Sequence, residues 1–138
     1  RWASACIVVS SLVCGYLWSP MPLARTTTTS WTSQLPPVVA ARESISRVPD
    51  DAVVAAYHSL TAHMARRVTI YSFPNPFTRN LYGPDVFAGG DRLPGADAVE
   101  YVILPVRLDD EAQKVWDVEK ERFRVVDENA WWVVYQRN

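Results

Sequence analysis

His58 and His63 are the only imidazoles in the chain, five residues apart beside an apolar run. An imidazole titrates near physiological pH and can act as a general base, with Asp50 or Asp51 as the orienting carboxylate. The spacing is not the i, i+4 pair that sets two ligands on one helix turn, and no third ligand stands near, so a metal site is not indicated. A hydrogen-bonded structural histidine is the role these residues favour. Nucleophilic chemistry has no support: Ser59 sits in His58-Ser59-Leu60, Ser72 in Tyr71-Ser72-Phe73, and G-x-S-x-G is absent. Cys6 and Cys14 are the only cysteines. On a helix, eight residues separate them by about 12 Å along the axis, too far for a disulfide. No catalytic residue, cofactor site or metal site is assigned.

The segment Pro74 to Ala98 holds four of the ten prolines and four of the five glycines. So long a loop in a small domain signals binding or motion. Its start, Phe73-Pro74-Asn75-Pro76-Phe77, follows a β-rich run, where open α/β sheets place ligands. The competing reading makes the prolines a rigid turn and the two Phe rings a plug. Gly89-Gly90 lacks the G-x-G-x-x-G spacing of a dinucleotide site. His58, His63, Tyr71, Asn75, Arg79 and Tyr82 form the candidate ligand or partner surface.

Several elements must position these groups. Val38 to Arg47 carries Val38, Ala41 and Ile45 at helical spacing, with Pro36 and Pro37 before it and Pro49 after it. Ala52 to Tyr57 is an apolar run suited to a strand buried on both faces. Leu60 to Arg67 is helix-like, and Val68 to Phe73 is a second strand, which together make a β-α-β unit. Val99 to Leu104 is a third strand. Asp109 to Arg122 has acids in its first turn and bases in its last, which match the helix dipole, and it offers Ala112, Val115, Trp116 and Phe123 to the core. The strands Phe123 to Val126 and Trp131 to Gln136 flank a turn at Asp127 to Ala130. Trp131, Trp132 and Tyr135 read as core residues. The expected fold class is α/β: a small mixed sheet of about five strands with flanking helices, preceded by one transmembrane helix.

The 138 residues suit one domain, and 49% hydrophobic against 21% charged residues excludes disorder. Fourteen Lys plus Arg balance fifteen Asp plus Glu, which leaves no concentrated positive face for nucleic acid. Trp2 to Ala24 is 23 residues without a charge, and about 20 helical residues cross a bilayer core. Its apolar heart, Ala5 to Trp18, is only 14 residues, though Trp2, Tyr16 and Trp18 sit where an aromatic belt would fall. A membrane span, a signal-peptide core, a buried core helix and a truncated span all remain open, with the span favoured. The start at Arg1 reads as a piece of a longer protein. Residues 1–24 are thus the expected span, 25–37 a Thr- and Ser-rich linker, and 38–138 the α/β domain.

A resemblance adds to this. The runs Arg47-Val48-Pro49-Asp50-Asp51-Ala52-Val53-Val54-Ala55-Ala56, His58 to Arg67 and Ile70-Tyr71-Ser72-Phe73-Pro74-Asn75-Pro76 are similar to the C-terminal region of a family of predicted bacterial multi-spanning membrane proteins of unknown function (DUF twenty-seventy-nine). Asp97 to Leu104 resembles a later segment of that family, and the similarity covers roughly residues 36–137. The family is thought akin to glycosyltransferases that use polyprenyl-phosphate sugars. The resemblance implies a last span followed by an accessory, non-catalytic domain outside the cytoplasm, in the cell envelope. Its implied partners are the bilayer and a lipid-linked sugar or cell-envelope glycan. The family's catalytic acid lies upstream of Arg1, so no catalytic residue carries over.

Overall fold

The computed structural model describes residues 2–18, 25, 34–79 and 92–138. The chain divides into two compact units, Arg1–Val38 and Val39–Asn138.

The first unit holds α1, Trp2–Trp18. Its residues are uncharged, and Ile7, Val8, Val9, Leu12 and Val13 are all exposed, so apolar surface surrounds the helix with no polar face. Ser10 satisfies its hydroxyl locally by donating to the Ile7 carbonyl at 3.0 Å. Among the described residues no helix is long and apolar enough to cross a membrane. The reason is length: 17 residues rise about 25 Å against a hydrocarbon core of about 30 Å. The expected transmembrane helix is therefore unsupported, and Ser19 to Ala24 of that stretch lie outside the described residues.

In the second unit a mixed five-stranded sheet is flanked by helices. Its strands are β1 (Val54–Ala56), β2 (Ile70–Ser72), β3 (Tyr101–Pro105), β4 (Phe123–Glu128) and β5 (Trp132–Arg137). The order is β2-β1-β3-β5-β4, with β1 parallel to β2 and β3, and β5 antiparallel to β3 and β4. The first two strands are three residues each, shorter than the β-rich runs suggested. That length sets the crossover. A strand of three residues advances about 10 Å, and seven helical residues return about the same distance. The expected helix over Leu60 to Arg67 is accordingly α3 (His58–Thr61) continued by a 3-10 turn at Ala62–Met64, and Val68 is left exposed instead of starting β2.

Side chains alternate across the sheet. One face carries Ala55, Val102, Leu104 and Phe123 against Ala112 and Trp116 of α4 (Asp110–Glu119). Phe73 and Phe77 enter the same cluster. Trp116 lies edge-on to Phe73 at 6.4 Å and touches Phe123 at 5.6 Å and Tyr135 at 4.5 Å between ring centroids. Pairs of this geometry contribute about 0.5–1.5 kcal/mol beyond area burial. The residues expected to face the core from this helix all do so. Asp109 caps it by accepting from the Ala112 N–H at 2.8 Å, which explains the acidic run. Buried Ala41, Leu60 and Met64 lie outside that cluster and cover the other face.

The helix expected at Val38 to Arg47 is α2 (Pro36–Ser46), with both prolines inside its first turn, where a missing N–H costs nothing. Its buried positions are Ala41 and Ser44. The serine is buried because Asn129 of the β4–β5 turn donates to its Oγ at 2.9 Å and to the Ala40 carbonyl at 3.3 Å. The same amide accepts from the N–H groups of Trp131 and Trp132. One side chain thus shapes the turn and seats the helix.

Candidate functional site

In the parallel trio β2-β1-β3 the chain leaves β1 for one neighbour and returns to the other, so the connections diverge at the carboxyl ends of β1 and β3. Open α/β sheets bind ligands in the crevice that such a divergence leaves. Three backbone bonds shape it here. Tyr57 N–H, one residue past β1, donates to the Ile103 carbonyl at 2.9 Å; Phe73 N–H, past β2, donates to Ala56 at 2.8 Å; Val106 N–H, past β3, donates to Trp131 at 3.0 Å.

Around this frame stand the side chains that a ligand would meet. The half-buried Tyr57 ring and the exposed His58 ring are 4.2 Å apart and tilted by 43°. Arg107 is exposed, and Trp131 is 48% exposed, not the core residue its sequence context suggested. A hairpin tip next to an edge strand has sheet on one side only, which cannot enclose an indole. Trp132 and Tyr135 are half-buried. β4 runs parallel to β3, so Glu128 reaches this end too, as do Asp110 and Glu111 at the start of α4. Among the described residues these exposed carboxylates outnumber the guanidinium of Arg107, which disfavours a polyanionic ligand. Aromatic faces with hydrogen-bonding groups suit a neutral polar ligand by stacking and hydrogen bonds.

The turn after β2 is pinned. Asn75 N–H donates to the Ser72 carbonyl at 2.9 Å, Phe77 N–H to Pro74 at 3.0 Å, and Leu93 N–H to Pro76 at 2.9 Å. The Phe73-Pro74 and Asn75-Pro76 peptide bonds are cis. Phe73 and Phe77 are both buried, so the rigid turn and aromatic plug are what this part of the loop builds. Its continuation through Gly89-Gly90 lies outside the described residues.

The five expected surface residues that are described do not converge. His58 and Asn75 follow the carboxyl ends of adjacent strands and share the crevice's end of the sheet. His63 is exposed on the 3-10 turn, and Arg79 is exposed at the end of the described turn. Tyr71 is half-buried on the core face, its ring so close to Gly95 that a Cβ there would come within 2.9 Å of the phenol Cζ. Tyr82 lies outside the described residues. Asp50 does not orient His58. It precedes β1, at the opposite end of the sheet, and its carboxylate is 3.7 Å from both Arg66 and Arg67. Among the described residues no three metal-ligating side chains gather. Tyr57, Arg107 and Trp131 escaped the sequence reading. The signal for the first two is their position just past a strand, which acquires meaning once the strand order is known.

An open cleft of about 510 Å³ lies among Arg42, Ile45, Ser46, Val48, Pro49, Asp50 and Arg66, at the other end of the sheet. No family model matches the chain, and neither a curated protein nor a solved structure matches it.

Proposed function

We propose that the chain is the membrane-anchored end of a glycosyltransferase-like integral membrane protein, with α1 held in lipid and the α/β unit outside the membrane as an accessory, non-catalytic domain. One observation carries the anchoring: α1 is uncharged and apolar on every side, and only a surrounding apolar medium satisfies such a helix. The sequence continues without charge to Ala24, although Pro20 and Pro22 fall within that stretch. The glycosyltransferase likeness rests on the quoted resemblance alone. Reconstitution of the full chain into phosphatidylcholine vesicles tests the anchoring. Flotation that survives carbonate, with Cys6 and Cys14 shielded from a membrane-impermeant maleimide until detergent is added, is expected. Carbonate release with both thiols labelled overturns it. The coding sequence upstream of Arg1 tests the rest: further hydrophobic spans are expected, and a start codon just upstream of Arg1 removes the transferase reading.

A second reading, a membrane-tethered module that binds a cell-envelope glycan or lipid-linked sugar, draws on the half-buried Tyr57 and the exposed His58 and Trp131 at this end of the sheet. Glycan-array binding by the full chain, lost in Asn75→Ala and Trp131→Ala, is its expected result; no binding by the unaltered chain removes it.

A further inference from the structure

The sheet's two edges differ. β2 ends it with three residues, too few to template another strand, whereas β4 ends it with six, Phe123-Arg124-Val125-Val126-Asp127-Glu128, whose outer side no strand among the described residues covers. Val125 is 53% and Val126 42% exposed, an apolar pair on an open edge that proteins ordinarily guard with charge.

The sequence of β4 is self-complementary about its centre. An antiparallel copy related by a two-fold axis between Val125 and Val126 sets Arg124 opposite Asp127, Val125 opposite Val126 and Phe123 opposite Glu128, each twice. In a regular strand this register is forbidden, because residues three apart point to opposite faces whereas directly opposed residues must share one. The bulge removes the conflict. The register against β5 shifts between Val125 and Asp127: Arg124 pairs with Gln136 and Asp127 with Val134, so both lie on one face. Val125 pairs with Tyr135 on the other face, and with two residues set against one, Val126 joins it there. Glu128 pairs with Val133 and Phe123 with Arg137, again on that second face. All six residues therefore have facial partners in the two-fold register. A bulge would turn a straight strand away, but on the two-fold axis the partner carries the same bend.

We infer that β4 is a self-association edge whose partner is a second copy of this chain, joined as a continuous ten-stranded sheet. Charge complementarity selects that occupant. Among the described residues Arg124 donates to the neutral Gln136 Oε1 at 3.0 Å, whereas Asp127 already lies 3.7 Å from Arg47, so it is Arg124 that lacks an opposite charge, which Asp127 of a second copy supplies across the axis. The six paired residues make a small interface, so the dimer is a weak one, populated as concentration rises. This inference is independent of the anchoring.

The experiment is sedimentation velocity of the full detergent-solubilised chain over a concentration series, with circular dichroism confirming the fold of each variant. The expected result is a concentration-dependent dimer. Arg124→Asp and Asp127→Arg, which place like charges opposite each other, each weaken it by about tenfold or more. The double swap Arg124→Asp/Asp127→Arg restores it in part, since position 127 also faces Arg47 of its own chain. Contacts within one chain predict no rescue, and association through α1 predicts no effect of any of the three. A monomer at every concentration, failure of the rescue, or equal association of all variants overturns the inference.

Discussion

The two ends of the sheet are built differently. At the end where β1 and β2 begin, buried guanidinium groups tie segments together: Arg67, its side chain 4% exposed, donates to the carbonyls of Val48, at 2.8 Å, and Pro49. At the same end Arg137 donates to Val99 and Ala96 at 2.6 and 2.7 Å and lies 4.8 Å over the Phe123 ring. Glu119, nearly enclosed, takes a two-toothed contact from Arg92 at 3.0 and 3.4 Å. At the other end, past the carboxyl ends of β1 and β3, His58, Arg107 and Trp131 are exposed and Tyr57 is half-buried. Charge at the first end is spent on backbone carbonyls and buried partners, whereas the second keeps its groups available. The contrast assigns stability to one end and, on the binding reading proposed above, recognition to the other.

That contrast breaks if the locks carry little weight. Arg67→Ala leaves two carbonyls without their donor in a nearly closed site and is expected to cost about 2–3 kcal/mol, the largest effect here, read as a lowered urea midpoint at unchanged slope. Lysine at that position restores only part of this, since an ammonium cannot fork to two carbonyls. Glu119→Ala strips Arg92 and Arg122 of their buried acceptor, and about 2 kcal/mol is expected, less than for a fully sealed pair because Arg92 keeps Asp97 at 2.8 Å. Losses below about 0.5 kcal/mol for both variants, the range of ordinary surface changes, would remove the distinction between the ends.

The recognition end was partly legible in the sequence, and the locked end hardly at all. Strand runs rich in β-branched residues, the Asp109 cap and the spacing of Ala112, Val115 and Trp116 announce the sheet and α4, because local propensity and burial agree there. Arg67, Glu119 and Arg137 carry no local signal of their roles, since nothing nearby in sequence says that a carbonyl or guanidinium 18 to 41 residues away will need a partner. The crevice was hidden for a related reason. Its residues follow three separate strands, and only the order β2-β1-β3 makes neighbours of them. Trp131 was misread because an indole in an apolar run reads as core until the hairpin tip is known to have one open side.

Two smaller effects sharpen the comparison. Gly95→Ala drives a Cβ against the Tyr71 ring, and a loss of about 1 kcal/mol is expected from the displaced tyrosine. Tyr71→Ala in the same chain should cancel most of that increment, a double-mutant cycle that identifies the contact; an additive result rejects it. At the recognition end His58→Ala is expected to shift stability by no more than about 0.5 kcal/mol, since that side chain is exposed. A larger loss makes that end structural as well.

The smallest expected effect is a pH dependence confined to the locked end. Hydrogen bonding from Arg92, with the nearby charges of Arg122 and Arg137, holds the exposed Asp97 carboxyl below the usual range, and Lys120 and Gln113 do the same for Asp117. A carboxyl depressed in the folded chain contributes stability that is complete above its unfolded value of about 3.9 and is lost as pH falls through the folded value. Urea midpoints should therefore hold steady through mild acid and fall below about pH 4, with a shallower fall in Asp97→Asn. His58 is exposed and lies away from these pairs, so His58→Ala should leave the acid limb unchanged. An equal slope in Asp97→Asn, or a slope that His58→Ala alters, would show that acid acts elsewhere and that the two ends are not separate in the way their side chains indicate.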